Sequence, residues 1–145
     1  MSGNISNKEV VRRLYEDCLN TRNFKLMGEF VDNDYEGFAG DKGPSGFEAT
    51  VKAVIQGFPD MQWKVEDLIE EGDKVVIRWS WQGTNTGPLR GFPASLKHVS
   101  DHGMVIYQFR NHKIVKAWME SDRLGVLQQI DVIPKDLVKV PQPQN

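Results

Sequence analysis

The sequence predicts an α+β domain in which helices come first and consecutive antiparallel strands follow. Three observations carry this. Before Pro59, apolar residues recur at helical spacing; beyond it the period falls to two. Short turn signals at Glu71-Gly72-Asp73 and Arg110–Lys113 join successive period-two runs, so sequence neighbours pair as hairpins. Amphipathic helices need an apolar surface to cover, and one face of such a sheet supplies it. A bent sheet capped by helices leaves a hollow with a closed end and an open mouth, a shape that small-molecule sites favour.

Each element has its own local reason. Ser6-Asn7-Lys8-Glu9 fits a capping box, and Val10, Val11, Leu14, Tyr15, Cys18 and Leu19 follow at helical spacing, which predicts a first helix over Ser6–Asn20. Cys18 lies on its apolar stripe and reads as packing rather than a reactive thiol. Asn23 is placed to cap a short second helix that Asp32-Asn33-Asp34 ends, and Tyr35–Ala39 reads as a brief strand. After the loop Gly40–Pro44, Ser45-Gly46-Phe47-Glu48 resembles a second capping box, and Gly57 and Pro59 stop the third helix. Met61, Trp63 and Val65 then alternate with polar residues, as do Val75, Ile77, Trp79 and Trp81 after the turn. Thr84–Pro93 is a long Gly- and Pro-rich loop of the kind that borders sites. Val99–Phe109 has Ser100, His102, Met104, Ile106 and Gln108 on one face and Asp101, Gly103, Val105, Tyr107 and Phe109 on the other.

The stretch Lys113–Gln129 begins as a strand and ends as a helix, with Asp122 at the change. Strict alternation puts Ile114, Lys116, Trp118, Glu120 and Asp122 on one face, and Val115, Ala117, Met119 and Ser121 on the other. Two carboxylates and an indole then share a face, which fits a pocket wall or a wet sheet surface. From Pro134 on, the chain reads as a flexible tail, so a single domain over residues 1–133 and a tail over 134–145 are expected.

Composition excludes several classes. The 145 residues suit one domain, and 39% hydrophobic with 26% charged residues suits a folded one. A net charge of −2 with both signs interspersed gives no basic stripe for nucleic acid. The single cysteine rules out an internal disulfide and zinc-binding cysteine clusters, and the three histidines lack metal-ligand spacing, so no metal site is expected. Neither a signal-peptide core nor a bilayer-length apolar run occurs; a soluble, cytoplasmic protein with no membrane contact is expected. There is no phosphate-binding Gly-rich loop and no Gly-x-Ser-x-Gly elbow.

The chain resembles the SnoaL-like polyketide cyclases, or predicted ester cyclases, of the nuclear transport factor 2-like superfamily. The residues carrying the likeness are Gly43-Pro44-Ser45-Gly46-Phe47, Phe58-Pro59-Asp60, Val65–Ile69 with Glu71-Gly72-Asp73, and Gly83–Gly87 with Gly91-Phe92-Pro93. Ile114-Val115 with Trp118, and Asp122-Arg123-Leu124-Gly125-Val126-Leu127-Gln128-Gln129, complete the set. It implies a cone-shaped α+β fold with three N-terminal helices on a curved antiparallel sheet, an internal pocket and a homodimer formed through the sheet. It implies no metal and no cofactor, and an aspartate acting as acid/base in intramolecular aldol ring closure; that aspartate falls on Asp122. Many relatives carry a histidine in the segment matching Asp34–Phe38, where this chain has Asp34-Tyr35-Glu36-Gly37-Phe38.

Such a reaction takes a proton from carbon beside a carbonyl and delivers one to oxygen, work that a positioned carboxylate performs. Burial among apolar groups such as Trp118 raises a carboxyl pKa and makes it a better base. The developing enolate needs a hydrogen-bond donor, for which His102 is the candidate, with Tyr35 and Trp79 behind it. The expected catalytic residues are thus Asp122 and His102, and the expected ligand-binding residues Trp118, Glu120, Tyr35 and Trp79, acting on a hydrophobic or aromatic carbonyl compound. Each has a plainer alternative. Asp122 also suits a helix N-cap, Glu120 a solvated surface, and His102 a structural role. Alternation points Asp101 away from His102, against a relay between them. The tryptophans suit a pocket, sheet packing or a dimer interface. A non-catalytic ligand-binding or interaction module remains the competing reading.

Overall fold

The computed structural model describes residues 5–136. Helix α1 (Asn7–Arg13) starts where the capping box places it, with Ser6 Oγ accepting the Glu9 N–H at 3.1 Å, and continues as a π-helical stretch over Leu14–Leu19. This widened turn still buries Leu14, Tyr15, Cys18 and Leu19. Cys18 is fully buried, and burial, with Glu48 and Glu29 adding to it, pushes its thiol up to about 11, so it is a packing group.

A 3₁₀ turn (Phe24–Leu26) leads into the short α2 (Met27–Phe30); Asn23 supplies no side-chain cap to it. Strand β1 is Val31–Glu36, earlier than the sequence suggests, because the polar run Asp32-Asn33-Asp34 is itself extended at a sheet edge. Helix α3 (Gly43–Ile55) starts two residues before the expected capping box. Pro44 at its first turn, with its fixed φ, opens the helix instead of Ser45.

Strands β2 (Gln62–Glu71), β3 (Lys74–Thr84), β4 (His98–Arg110) and β5 (Lys113–Ser121) form an antiparallel run, and β1 adds in parallel to β5, giving the order β1-β5-β4-β3-β2. Asn111 and His112 both have positive φ, 51° and 63°, as a two-residue hairpin of primed type requires. The helices cover one face, so the architecture is α+β with helices on a curved, mostly antiparallel sheet. Helix α4 (Arg123–Gln129) closes the chain over the start of β4, where the Gln129 side chain brackets the Ser100 backbone with bonds of 3.1 and 3.0 Å. The expected tail lies for the most part outside the described residues.

The loop between β3 and β4 is held by Asn85, which is fully buried and fully bonded. Its Nδ2 donates to Gly57 O and Gly87 O at 3.0 and 2.9 Å, and its Oδ1 accepts from Ser95 N at 2.7 Å. This clamp seats Leu89 against the end of α3 and into the hollow under the sheet.

Candidate functional site

Beneath the helices, the inner face of the sheet bounds a cavity of about 390 Å³. Its walls are mostly aromatic and aliphatic, with Phe47, Phe58, Trp63, Trp81 and Leu89 among them. Among the groups that break this apolar lining are Asp101, Ser121, Asp122 and Arg123 at one side and Tyr15, Tyr35, Tyr107 and Trp79 within.

β4 supplies the inner row as the alternation predicts: Val99, Asp101, Gly103, Val105, Tyr107 and Phe109 are buried, while Ser100, His102, Met104 and Ile106 face out. Gly103 is opposite Trp79 across the ladder. A Cβ at Gly103 would lie 2.6 Å from Trp79 Cη2, so the absent side chain is what lets this indole pack against the strand.

β5 departs from strict alternation. Gln108 is opposite Lys116 while Phe109 is opposite Ile114, leaving Val115 as an extra residue. The bulge reverses the phase beyond it. Ala117, Met119 and Ser121 therefore line the cavity, whereas Lys116, Trp118 and Glu120 face outward. Trp118 and Glu120 share a face as alternation expects, but it is the outer one, and neither Ile114 nor Asp122 belongs to it. Trp118 is 45% exposed and has no part in the cavity wall, and Glu120 lines instead an adjoining, more open hollow that shares Ser121, Asp122 and Arg123 with the cavity.

Asp122 returns to the mouth because the strand ends there. It caps α4, with Oδ1 accepting the Gly125 N–H at 2.8 Å, and its own N–H reaches His102 O at 3.4 Å. A Cβ at Gly125 would sit 2.1 Å from Asp122 Oδ2, so this glycine makes room for the carboxylate. Asp122 thus both caps the helix and lines the cavity, but it is exposed rather than held dry.

The dry carboxyl is Asp101, whose side chain is only 2% exposed. Its Oδ1 turns back along the strand to accept the His102 N–H at 2.7 Å, and Oδ2 is buried without a hydrogen-bond partner. Burial pushes its pKa up, and the neighbouring charge of Asp122 adds to this against the backbone bond. His102 belongs to the outer row, with its side chain 71% exposed, yet it also lines the cavity, beside Asp101 and Asp122. Its Nδ1 nevertheless lies 3.6 Å from Asp101 Oδ1, because the carboxyl bends toward its own backbone. The two residues meet although their rows are opposite, contrary to the expectation from alternation.

One oxygen of Asp101, one of Asp122 and a ring nitrogen of His102 all lie within 4.8 Å of one another. That trio contrasts with the expectation of no metal site, since its spacing is open to a shared proton or a shared cation. Tyr35 and Trp79 line the cavity. Sequence reasoning passed over Tyr15 and Tyr107, and turned Asp101 away. The available signal was an acid and a tyrosine on the apolar row of a strand.

The family model for SnoaL-like polyketide cyclases matches residues 9–130. The chain belongs to this family. A protein from Jannaschia sp. CCS1 described as a SnoaL-like polyketide cyclase shares the fold, with a TM-score of 0.81 at 22% identity over 88% of this chain and 93% of that one. TsrD from Streptomyces laurentii gives 0.76 at 25% identity, covering 88% and 93%. A protein from Acidithiobacillus ferrooxidans described as a polyketide cyclase gives 0.75 at 27%, covering 90% and 97%. No curated protein sequence matches the chain at a significant level. Among the described residues, no helix is long and apolar enough to cross a membrane.

Proposed function

We propose that this SnoaL-like chain closes or isomerises a polyketide-like carbonyl compound by acid/base catalysis without a cofactor. The observation carrying this is the pairing of two carboxyls of unlike environment at the edge of an apolar cavity. Asp122, open to solvent and substrate, takes the proton from carbon beside a carbonyl. The enolate carbon attacks a second carbonyl of the same molecule, forming the ring bond. Asp101, which burial keeps in its neutral form to higher pH, supplies the proton to the oxygen so formed. A proton then passes from Asp122 back to Asp101 across their short separation, directly or through water.

The test is turnover of linear aromatic polyketide methyl esters by the purified protein. Asp122→Asn should fold normally and lose roughly 10²–10⁴ in rate, the usual scale for a lost acid/base group. A variant as fast as the parent would remove the proposal. Binding seen by tryptophan fluorescence with no product at any pH would favour a ligand carrier instead.

The Asp101–His102–Asp122 trio supports a second reading, a divalent-cation site of mixed oxygen and nitrogen ligands. Dialysis against EDTA separates the two. Acid/base work by the carboxyls survives it, whereas loss of rate restored by a divalent cation would reassign the trio.

We infer further that a second copy docks on the outer face of the sheet. Met104, Ile106 and Trp118 are exposed there, and Ile106 and Trp118 are directly opposite each other. Sedimentation equilibrium giving only monomer at micromolar concentration would refute the dimer.

A further inference from the structure

Deep in the cavity, away from Asp101 and Asp122, three aromatic residues with polar tips meet. Tyr107 comes from the inner row of β4, six residues along from Asp101, which is about 20 Å of strand at ~3.3 Å per residue. Its hydroxyl lies 2.6 Å from that of Tyr15, which comes from the π-helical stretch after α1. The Trp79 indole, lying over Gly103, approaches the Tyr15 hydroxyl, yet its Nε1–H is buried with no hydrogen-bond partner.

The donor count is uneven. A hydroxyl carries one proton, so one tyrosine donates to the other and the acceptor's own proton stays uncommitted. The indole N–H is a second uncommitted donor, and an indole has no acceptor with which to balance it. Buried donors without partners are rare and costly, which makes an unfilled pair inside a cavity informative. Around them stand mostly apolar walls and Tyr35, with Asp41 beyond it against the Tyr35 side chain. The site is buried and rich in protons to donate.

We propose that the Tyr15–Tyr107 hydroxyl pair and the Trp79 N–H form an oxygen-binding subsite that takes a carbonyl oxygen of a flat, conjugated ligand. The aromatic walls hold the ring system, and the donors fix which end of it points inward. The inference rests on the reading of the cavity as a small-molecule site, and not on proton transfer by Asp122.

The probes are 2-acetylnaphthalene, labelled with carbon-13 at the carbonyl, and 2-isopropenylnaphthalene, which has the same shape without the oxygen. Dissociation constants for both come from quenching of tryptophan fluorescence in the intact chain and in Tyr15→Phe/Tyr107→Phe. The ketone-to-hydrocarbon affinity ratio should fall about tenfold in the double variant, the effect of one or two lost buried hydrogen bonds. The bound carbonyl stretch should lie below its value in hexane and move back up in the variant. Met104→Ala, on the outer face of the same strand, should leave ratio and stretch unchanged, and neither readout involves turnover, so a failed ring-closure mechanism does not touch this result. An unchanged ratio in the folded double variant, or an unshifted stretch in the parent, overturns the subsite. If neither probe binds, the cavity reading falls with it.

Discussion

The two faces of β4 and β5 are built from the same chain segments and do opposite things. Inward, Asp101, Gly103, Val105 and Tyr107 meet Ala117, Met119 and Ser121 around a cavity. Outward, His102, Met104 and Ile106 meet Trp118 and Glu120 in water. Both rows mix apolar bodies with ionisable tips, so residue type does not tell them apart. Phase does, and on β5 the phase is set by one unpaired residue, Val115. Every side chain beyond it changes sides.

The largest effect that would break this contrast is catalytic. Asp122 is held at the mouth by the Gly125 N–H, in the space that the glycine leaves. Gly125→Ala should displace the carboxylate and cost at least tenfold in kcat, while Glu120→Gln, two residues earlier but outside, should leave kcat within about twofold. Equal losses in both variants, measured with a turned-over polyketide ester, would mean that the inner and outer rows share the chemistry.

Next in size is packing. Gly103→Val adds carbons where Trp79 already lies and should cost about 1–3 kcal/mol, read as a shift of the urea midpoint at constant slope. Met104→Ala, the outward neighbour, should stay within about 0.5 kcal/mol in the monomer. A harmless Gly103→Val would show that the indole does not need the strand surface, and with it would go the placement of Nε1 beside Tyr15.

A smaller effect tests the buried acid. Asp101 ionises at higher pH in the folded chain than in the unfolded one, through burial first and Asp122 second. The folded state therefore holds the proton longer, and stability declines as pH rises from the ordinary carboxyl value, ~3.9, toward the raised folded value. Asp101→Asn removes that decline and keeps an oxygen for the His102 N–H. The variant should be the more stable one at pH 7, with the advantage gone at pH 3.5. A variant less stable than the parent at neutral pH would show that the carboxylate is stabilised by something other than its surroundings here.

Much of this was legible in the chain. The change of period at Pro59, the Ser6 cap, the Glu71–Asp73 turn and the two rows of β4 all follow from local chemistry, and the structure has them. Asp122 was legible both as a cap and as a lining group. The bulge at Val115 was not, because nothing in Lys-Ile-Val-Lys-Ala distinguishes a paired valine from an extra one; the register of β4 against β5 decides it. Trp118 and Glu120 do share a face, opposite Ala117, Met119 and Ser121; the bulge separates that face from Ile114 and makes it the outer one. Asp101 was turned away by an argument from alternation that lacked two facts: its face is the inner one, and its carboxyl bends back along the strand to meet His102. Tyr15 and Tyr107 are 92 residues apart, and only the closing of the sheet under the π-helical stretch brings their hydroxyls together.

The smallest expected effect bears most directly on that outer face. Trp118 looks like a pocket residue by type and by neighbourhood, yet it is 45% exposed on the far side of the sheet. Trp118→Gln should therefore leave the affinity for 2-acetylnaphthalene within about twofold, since no wall of the cavity is altered. Its consequence belongs to the outer face: exposed indole area removed there weakens self-association at roughly 25 cal/mol per Å² of apolar surface no longer covered. Ligand titration and sedimentation equilibrium on the same preparation read the two faces separately. Loss of ligand binding in a variant that still sediments as the parent does would return Trp118 to the cavity, and the bulge at Val115 would then have to be absent in solution.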